Sequence, residues 1–147
     1  MKFTDPYINT SKCVNRLLDK YKEYGTLIIG FDFDDTIYDF SAPDTSFDIT
    51  ISLLKECSDM GLTLILYTCC KNITDLDNKI RICNNYGLNL TSMIDNKVQF
   101  KVGDKPYFNI LLDDKAGLGQ SVTILKQALD EIKLLKNVEG GSNGSNA

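Results

Sequence analysis

No histidine occurs anywhere in the 147 residues. Catalysis of the Ser-His-Asp or Cys-His kind is therefore excluded, because no imidazole is present to take the proton. Cys/His zinc sites go with it. The five cysteines (Cys13, Cys57, Cys69, Cys70 and Cys83) are odd in number and include no CxxC pair, so they read as reduced thiols of a cytosolic protein, mostly in the core. A basic surplus is missing as well: 16 Lys and Arg stand against 20 acids, a net charge of −4. The overall charge thus gives no footprint for nucleic acid, and nucleic acid enters only as a candidate substrate. No apolar run approaches the roughly 20 residues of a membrane span. The opening MKFTDPYINTSK is polar and broken by Pro6, which predicts no signal peptide and a cytoplasmic location. Whatever chemistry exists must run on carboxylates, lysine, hydroxyls and metal.

A length of 147 residues with 43% hydrophobic and 24% charged side chains suits one domain with a real core. Its organising stretch is Leu27–Thr36, LIIGFDFDDT. Apolar residues on both sides of Gly30 predict a strand covered on both faces, as in a parallel sheet. That strand ends on Asp32, Asp34 and Asp35, and carboxylates so close repel one another unless a cation lies among them.

Thr10 or Ser11 can cap a first helix, with Val14, Leu17, Leu18 and Tyr21 on one face and Gly25 as its stop. Ile37–Thr45, with Pro43, reads as an irregular excursion. A helix follows over Phe47–Met60, then a second strand over Leu62–Thr68 that ends on a hydroxyl. Thr74 is the expected cap of a helix over Asp75–Tyr86, with Leu76, Ile80 and Cys83 inward. Thr91–Asp95 is a short strand, Asn96–Pro106 a polar stretch with a small hairpin about Val98–Val102, and Phe108–Asp113 a last strand running into Asp114. The final helix is expected over Ser121–Asn137; residues 1–137 form the domain, and 138–147, ending GGSNGSNA, a flexible tail. Alternating strands and helices predict an α/β domain with a parallel sheet. In such sheets ligands sit beyond the carboxyl ends of the strands. Asp32 and Asp34, Thr68, and Asp113 with Asp114 all fall on that edge.

Asp32-Phe33-Asp34-Asp35-Thr36 resembles the DxDxT motif of the haloacid dehalogenase superfamily. Thr68 at the end of the second strand, Lys105, and the pair Asp113-Asp114 follow in the order that superfamily uses. LILYTCCK and KPYFNILLDDKAG resemble the TCR-type and IDDRA-type segments of its small capless phosphatase-like members from bacteria and phages. The resemblance covers about Leu27–Leu118 and implies a Rossmann-like fold and a Mg²⁺-dependent phosphatase. It implies Asp32 as nucleophile and Asp34 as general acid and base, with Thr68, Cys69 and Lys105 on the phosphoryl group and substrate. Asp32, the Asp34 backbone carbonyl, Asp113 and Asp114 would hold Mg²⁺. Lys71 is the rival to Lys105 as the phosphate-site lysine.

Two departures stand out. Asp35 occupies a position that is glycine in many members, and Cys70 one that is arginine in the nearest. The spacings from Asp34 to Thr68 and from Thr68 to Lys105 leave no room for a lid domain. An open site follows, suited to a macromolecular phosphorylated substrate or to a small one covered by Ile37–Thr45, where Tyr38 and Phe40 could meet a base or ring. Two other readings stay open: a binding or scaffold protein on the same fold, and a phosphoryl-accepting receiver domain. The order of parts disfavours the receiver, since receivers put an acidic pair on the first strand and the acceptor on a central one.

Overall fold

Helices and strands alternate in the order α1 (Thr10–Tyr24), β1 (Ile28–Phe31), α2 (Asp48–Asp59), β2 (Thr63–Thr68), α3 (Ile73–Asn85), β3 (Ser92–Asp95), β4 (Ile110–Leu112) and α4 (Leu118–Gly144). The computed structural model describes residues 7–40, 44–95 and 107–144. The polar stretch 96–106, with its expected hairpin and Lys105, lies outside the described residues, as does Pro43. The strands form one sheet in the order β3-β2-β1-β4. All three pairings are parallel, so every carboxyl end lies on one edge, as the strand-helix alternation predicts. No described helix is long and apolar enough to cross a membrane.

The core follows the apolar pattern of the sequence. Leu27, Ile29 and Phe31 of the first strand region, Leu64 and Leu66 of β2, and Leu112 of β4 are fully buried. They meet Leu17 of α1, Leu54 and Cys57 of α2, and Leu125, Leu129 and Ile132 of α4 in one cluster. Helix α1 packs on α4, and α2 on β2 and α4. Cys13, Cys57, Cys70 and Cys83 are buried and Cys69 is exposed.

Several boundaries differ from expectation, for local reasons. The side chain of Asn9, not Thr10 or Ser11, caps α1 by accepting from the Lys12 N–H, while Gly25 ends the helix at φ 74° as expected. Asn72, not Thr74, caps α3 by accepting from the Asp75 N–H at 2.9 Å. Asp75 in turn accepts from the Lys71 N–H at 2.9 Å. Two bonds at this helix start outweigh the single one a Thr74 cap would supply. Helix α4 begins at Leu118 and runs to Gly144, beyond the expected Ser121–Asn137 and into the Gly-, Ser- and Asn-rich ending.

Gly30 shows why the central strand needs a residue without a side chain. A Cβ there would lie 2.5 Å from Cδ1 of Phe108 and 2.8 Å from its Cγ. That ring also packs edge-on against Tyr67, with centroids 5.7 Å apart, so it cannot swing aside freely. Gly30→Ala should therefore destabilise the protein by about 1–3 kcal/mol through overpacking, read from urea denaturation. A variant as stable as the wild type would mean the Phe108 ring yields.

Candidate active site at the carboxyl edge of the sheet

Strand register brings the acids together. Phe31 pairs with Leu66 of β2 and with Leu112 of β4, so the next residues of β1 and β4 emerge side by side. The Asp32 N–H donates to the Leu112 carbonyl at 2.9 Å, extending the ladder one step past the strand. Carboxylate oxygens of Asp32, Asp113 and Asp114 then all lie within 4.8 Å of one another. The turn after β4 fixes the pair: Asp113 Oδ1 accepts the Lys115 N–H at 2.8 Å. Thr36, wholly buried, accepts the Asp114 N–H on its Oγ1 at 3.1 Å. That hydroxyl's own hydrogen faces Asp114 Oδ1 at 3.4 Å and Asp32 Oδ2 at 3.5 Å. The threonine of the DxDxT segment thus ties the end of β1 to the end of β4.

Crowding shows in the acidity of Asp32. Burial, then the hydrogen bond with Asp114 and the charges of Asp113 and Asp114, push its pKa from 3.8 up to about 7 against the pull of the Phe33 backbone. The donors are all hard oxygens, the set that Mg²⁺ or another hard divalent cation prefers. An octahedral shell at about 2.1 Å puts opposite oxygens about 4 Å apart, so a group gathered within 4.8 Å needs little closure to hold one.

On the β2 side of this triad lies a cation that the strand pattern does not reveal. Lys79, on α3, is 6% exposed. Its Nζ donates to Thr68 Oγ1 at 2.9 Å and to the Cys69 carbonyl at 2.9 Å. It stands 3.5 Å from Asp34 Oδ2 and 5.3 Å from the centre of the Phe33 ring. A buried amine is tolerated only when its donors are used, and here two are satisfied while the third has Asp34 at long range. Thr68, accepting from Lys79, keeps its own O–H to give. Lys79 had one signal in the sequence: it interrupts the inward stripe Leu76–Cys83 of α3, three residues after one and four before the other.

The remaining candidates fall around these two groups. Asp34 does not join the triad with its carboxylate, which faces Lys79. Cys69 is exposed and meets Lys79 through its carbonyl, whereas Cys70 is buried. Lys71 is exposed, and Lys105 lies outside the described residues. Asp35 adopts φ 57°, the left-handed region where glycine costs least. Its backbone N–H donates to the Tyr38 carbonyl at 2.8 Å, as that of glycine would, and its carboxylate adds a bond that glycine could not make by accepting the Phe40 N–H at 3.2 Å. Between the strand ends the described regular elements are α2, α3 and β3, with no lid domain among the described residues.

The fold and site define an α/β protein with an acidic, cation-ready cluster at the carboxyl edge of a parallel sheet. No family model, curated protein or solved structure matches the chain.

Asp32 makes stability depend on pH in a definite direction. Between 3.8 and about 7 the folded chain holds a proton that the unfolded chain has released, so stability falls as pH rises through that window and levels off above it. Melting temperatures of the metal-free protein should drop from pH 4 to pH 7 more steeply than those of Asp32→Asn. Parallel curves would show that the Asp32 carboxyl is not shifted.

Proposed function

We propose that the chain is a Mg²⁺-dependent phosphomonoesterase with Asp32 as nucleophile, a small capless domain of the haloacid dehalogenase kind that its motifs resemble. The observation that carries this reading is the meeting of Asp32, Asp113 and Asp114 within 4.8 Å beside the Lys79–Thr68–Asp34 group. One cluster offers hard anionic ligands, and the other offers N–H and O–H donors for phosphoryl oxygens. Phosphoryl transfer needs both.

The residues divide the work as follows. A carboxylate oxygen of Asp32 attacks phosphorus while the P–O bond to the alcohol breaks, and Asp34 passes a proton to the leaving oxygen. Asp34, now a carboxylate, takes a proton from water as that water's oxygen attacks phosphorus. The P–O bond to Asp32 breaks, leaving inorganic phosphate and the starting carboxylate. Lys79 and Thr68 orient the phosphoryl oxygens and offset their charge, the part that the sequence assigned to Lys105 or Lys71. Asp32, Asp113, Asp114 and the Asp34 backbone carbonyl would hold Mg²⁺, which when bound keeps Asp32 ionised near neutral pH and offsets phosphoryl charge.

The test is phosphate release from p-nitrophenyl phosphate and a panel of metabolites and phosphorylated oligonucleotides, with Mg²⁺ and with chelator. Asp32→Asn should lower kcat by at least about a thousand-fold, and chelation should stop turnover. Lys79→Ala should lower kcat/KM by about 10²–10³-fold. A larger loss in Lys105→Ala would return the lysine role to that residue. Wild type that neither turns over any substrate nor carries a phosphoryl group on Asp32 would sink the enzymatic reading.

A further inference from the structure

A cavity of about 550 Å³ opens off the site toward α3, and Phe33, Asp34 and Lys79 line it. It therefore begins where the leaving alcohol of a phosphomonoester would lie. One wall is aromatic: Tyr38 stacks on Phe33 with ring centres 5.1 Å apart, yet remains 42% exposed, and Phe40 is 70% exposed. The Asp35 turn fixes the backbone that carries both rings, through the Tyr38 carbonyl and the Phe40 N–H. The other wall is polar, with Asp75 alongside two cations. Lys71 and Arg81 line it, and neither has an ion-pair partner among the described residues. Asn78 adds an amide that accepts from Arg81 at 3.2 Å.

A sugar would meet the rings only with a C–H face, and an aliphatic alcohol would leave the polar wall unused. A heteroaromatic base uses both, offering a π-face to the rings and hydrogen-bonding edges to Asn78 and Arg81. The volume falls within the range of pockets for ligands of that size.

We propose that this cavity receives a nucleoside, so that the substrate is a nucleoside monophosphate unit, free or at the end of a polynucleotide, with its base against Tyr38 and Phe40. The assignment rests on the phosphomonoesterase reading, and its test separates the two. Turnover of adenosine 5′-monophosphate, ribose 5-phosphate, p-nitrophenyl phosphate and a 5′-phosphorylated tetranucleotide would be compared. In parallel, calorimetry would measure binding of adenosine 5′-monophosphate and ribose 5-phosphate to Asp32→Asn in Mg²⁺. The nucleotide should exceed ribose 5-phosphate about tenfold in kcat/KM and in affinity, and Phe40→Ala should remove most of that ratio. A higher rate on the tetranucleotide would place the natural substrate at a polynucleotide end, and a higher rate on the mononucleotide would make it a free nucleotide. Phosphate release from ribose 5-phosphate as fast as from the nucleotide, with equal affinities, would overturn the nucleoside assignment and leave the phosphatase standing. Nucleotide-selective binding without turnover of any phosphate would do the reverse.

Discussion

Mutual repulsion among Asp32, Asp113 and Asp114 is the constraint around which the rest of the site is arranged. Folding forces these groups within 4.8 Å because β1 and β4 are parallel neighbours in register, and neither strand can retreat without breaking the ladder. Burial, the hydrogen bond with Asp114 and then this repulsion raise the pKa of Asp32 to about 7. A proton relieves the repulsion at low pH, and a divalent cation would relieve it near neutral pH by favouring the ionised form. Thr36 matters because it is neutral and buried: it clasps the Asp114 backbone without adding charge to a place that already has too much.

Lys79 answers a different electrostatic demand. It compensates Asp34 from α3, so the fourth carboxylate of the region is held apart from the triad and faces a cation instead. Asp32 and Asp34, two residues apart, thereby acquire unlike surroundings, one crowded by anions and one beside an amine. Two carboxyls set in opposite electrostatic environments can take separate roles in one reaction. The same bond to Lys79 orients Thr68, so one lysine organises the end of β2 as Thr36 organises the ends of β1 and β4.

What could be read from the sequence follows from how each residue is positioned. Asp32, Thr68, Asp113 and Asp114 needed only the recognition of strands, because a parallel sheet delivers every carboxyl end to one edge. Lys79 comes from the middle of a helix, and its arrival depends on the angle at which α3 crosses the sheet edge, which no periodicity encodes. Its sole trace is a charge on an apolar stripe, a pattern that surface lysines often imitate. Cap positions failed for a related reason: Asn72 and Thr74 are both competent caps two residues apart, and the second bond, of Asp75 with the Lys71 N–H, decides between them. The extent of α4 was short in the reading because Gly140 and Gly141 weigh against helix locally, while the structure carries the helix to Gly144.

Asp35 links the chemistry of the site to the cavity beside it. Glycine at this position would allow the left-handed turn and keep the backbone bond to the Tyr38 carbonyl, but would leave the Phe40 N–H without the carboxylate acceptor. Aspartate accepts the strain of φ 57° and returns a hydrogen bond to the Phe40 N–H, which fixes where the two exposed rings project. The departure at Asp35 is therefore better understood as ordering the aromatic wall than as modifying the cation shell, since its carboxylate is turned to the flap backbone and lies outside the triad. The residues immediately after Asp32 thereby place both rings on the wall of the cavity that Phe33 and Asp34 also line.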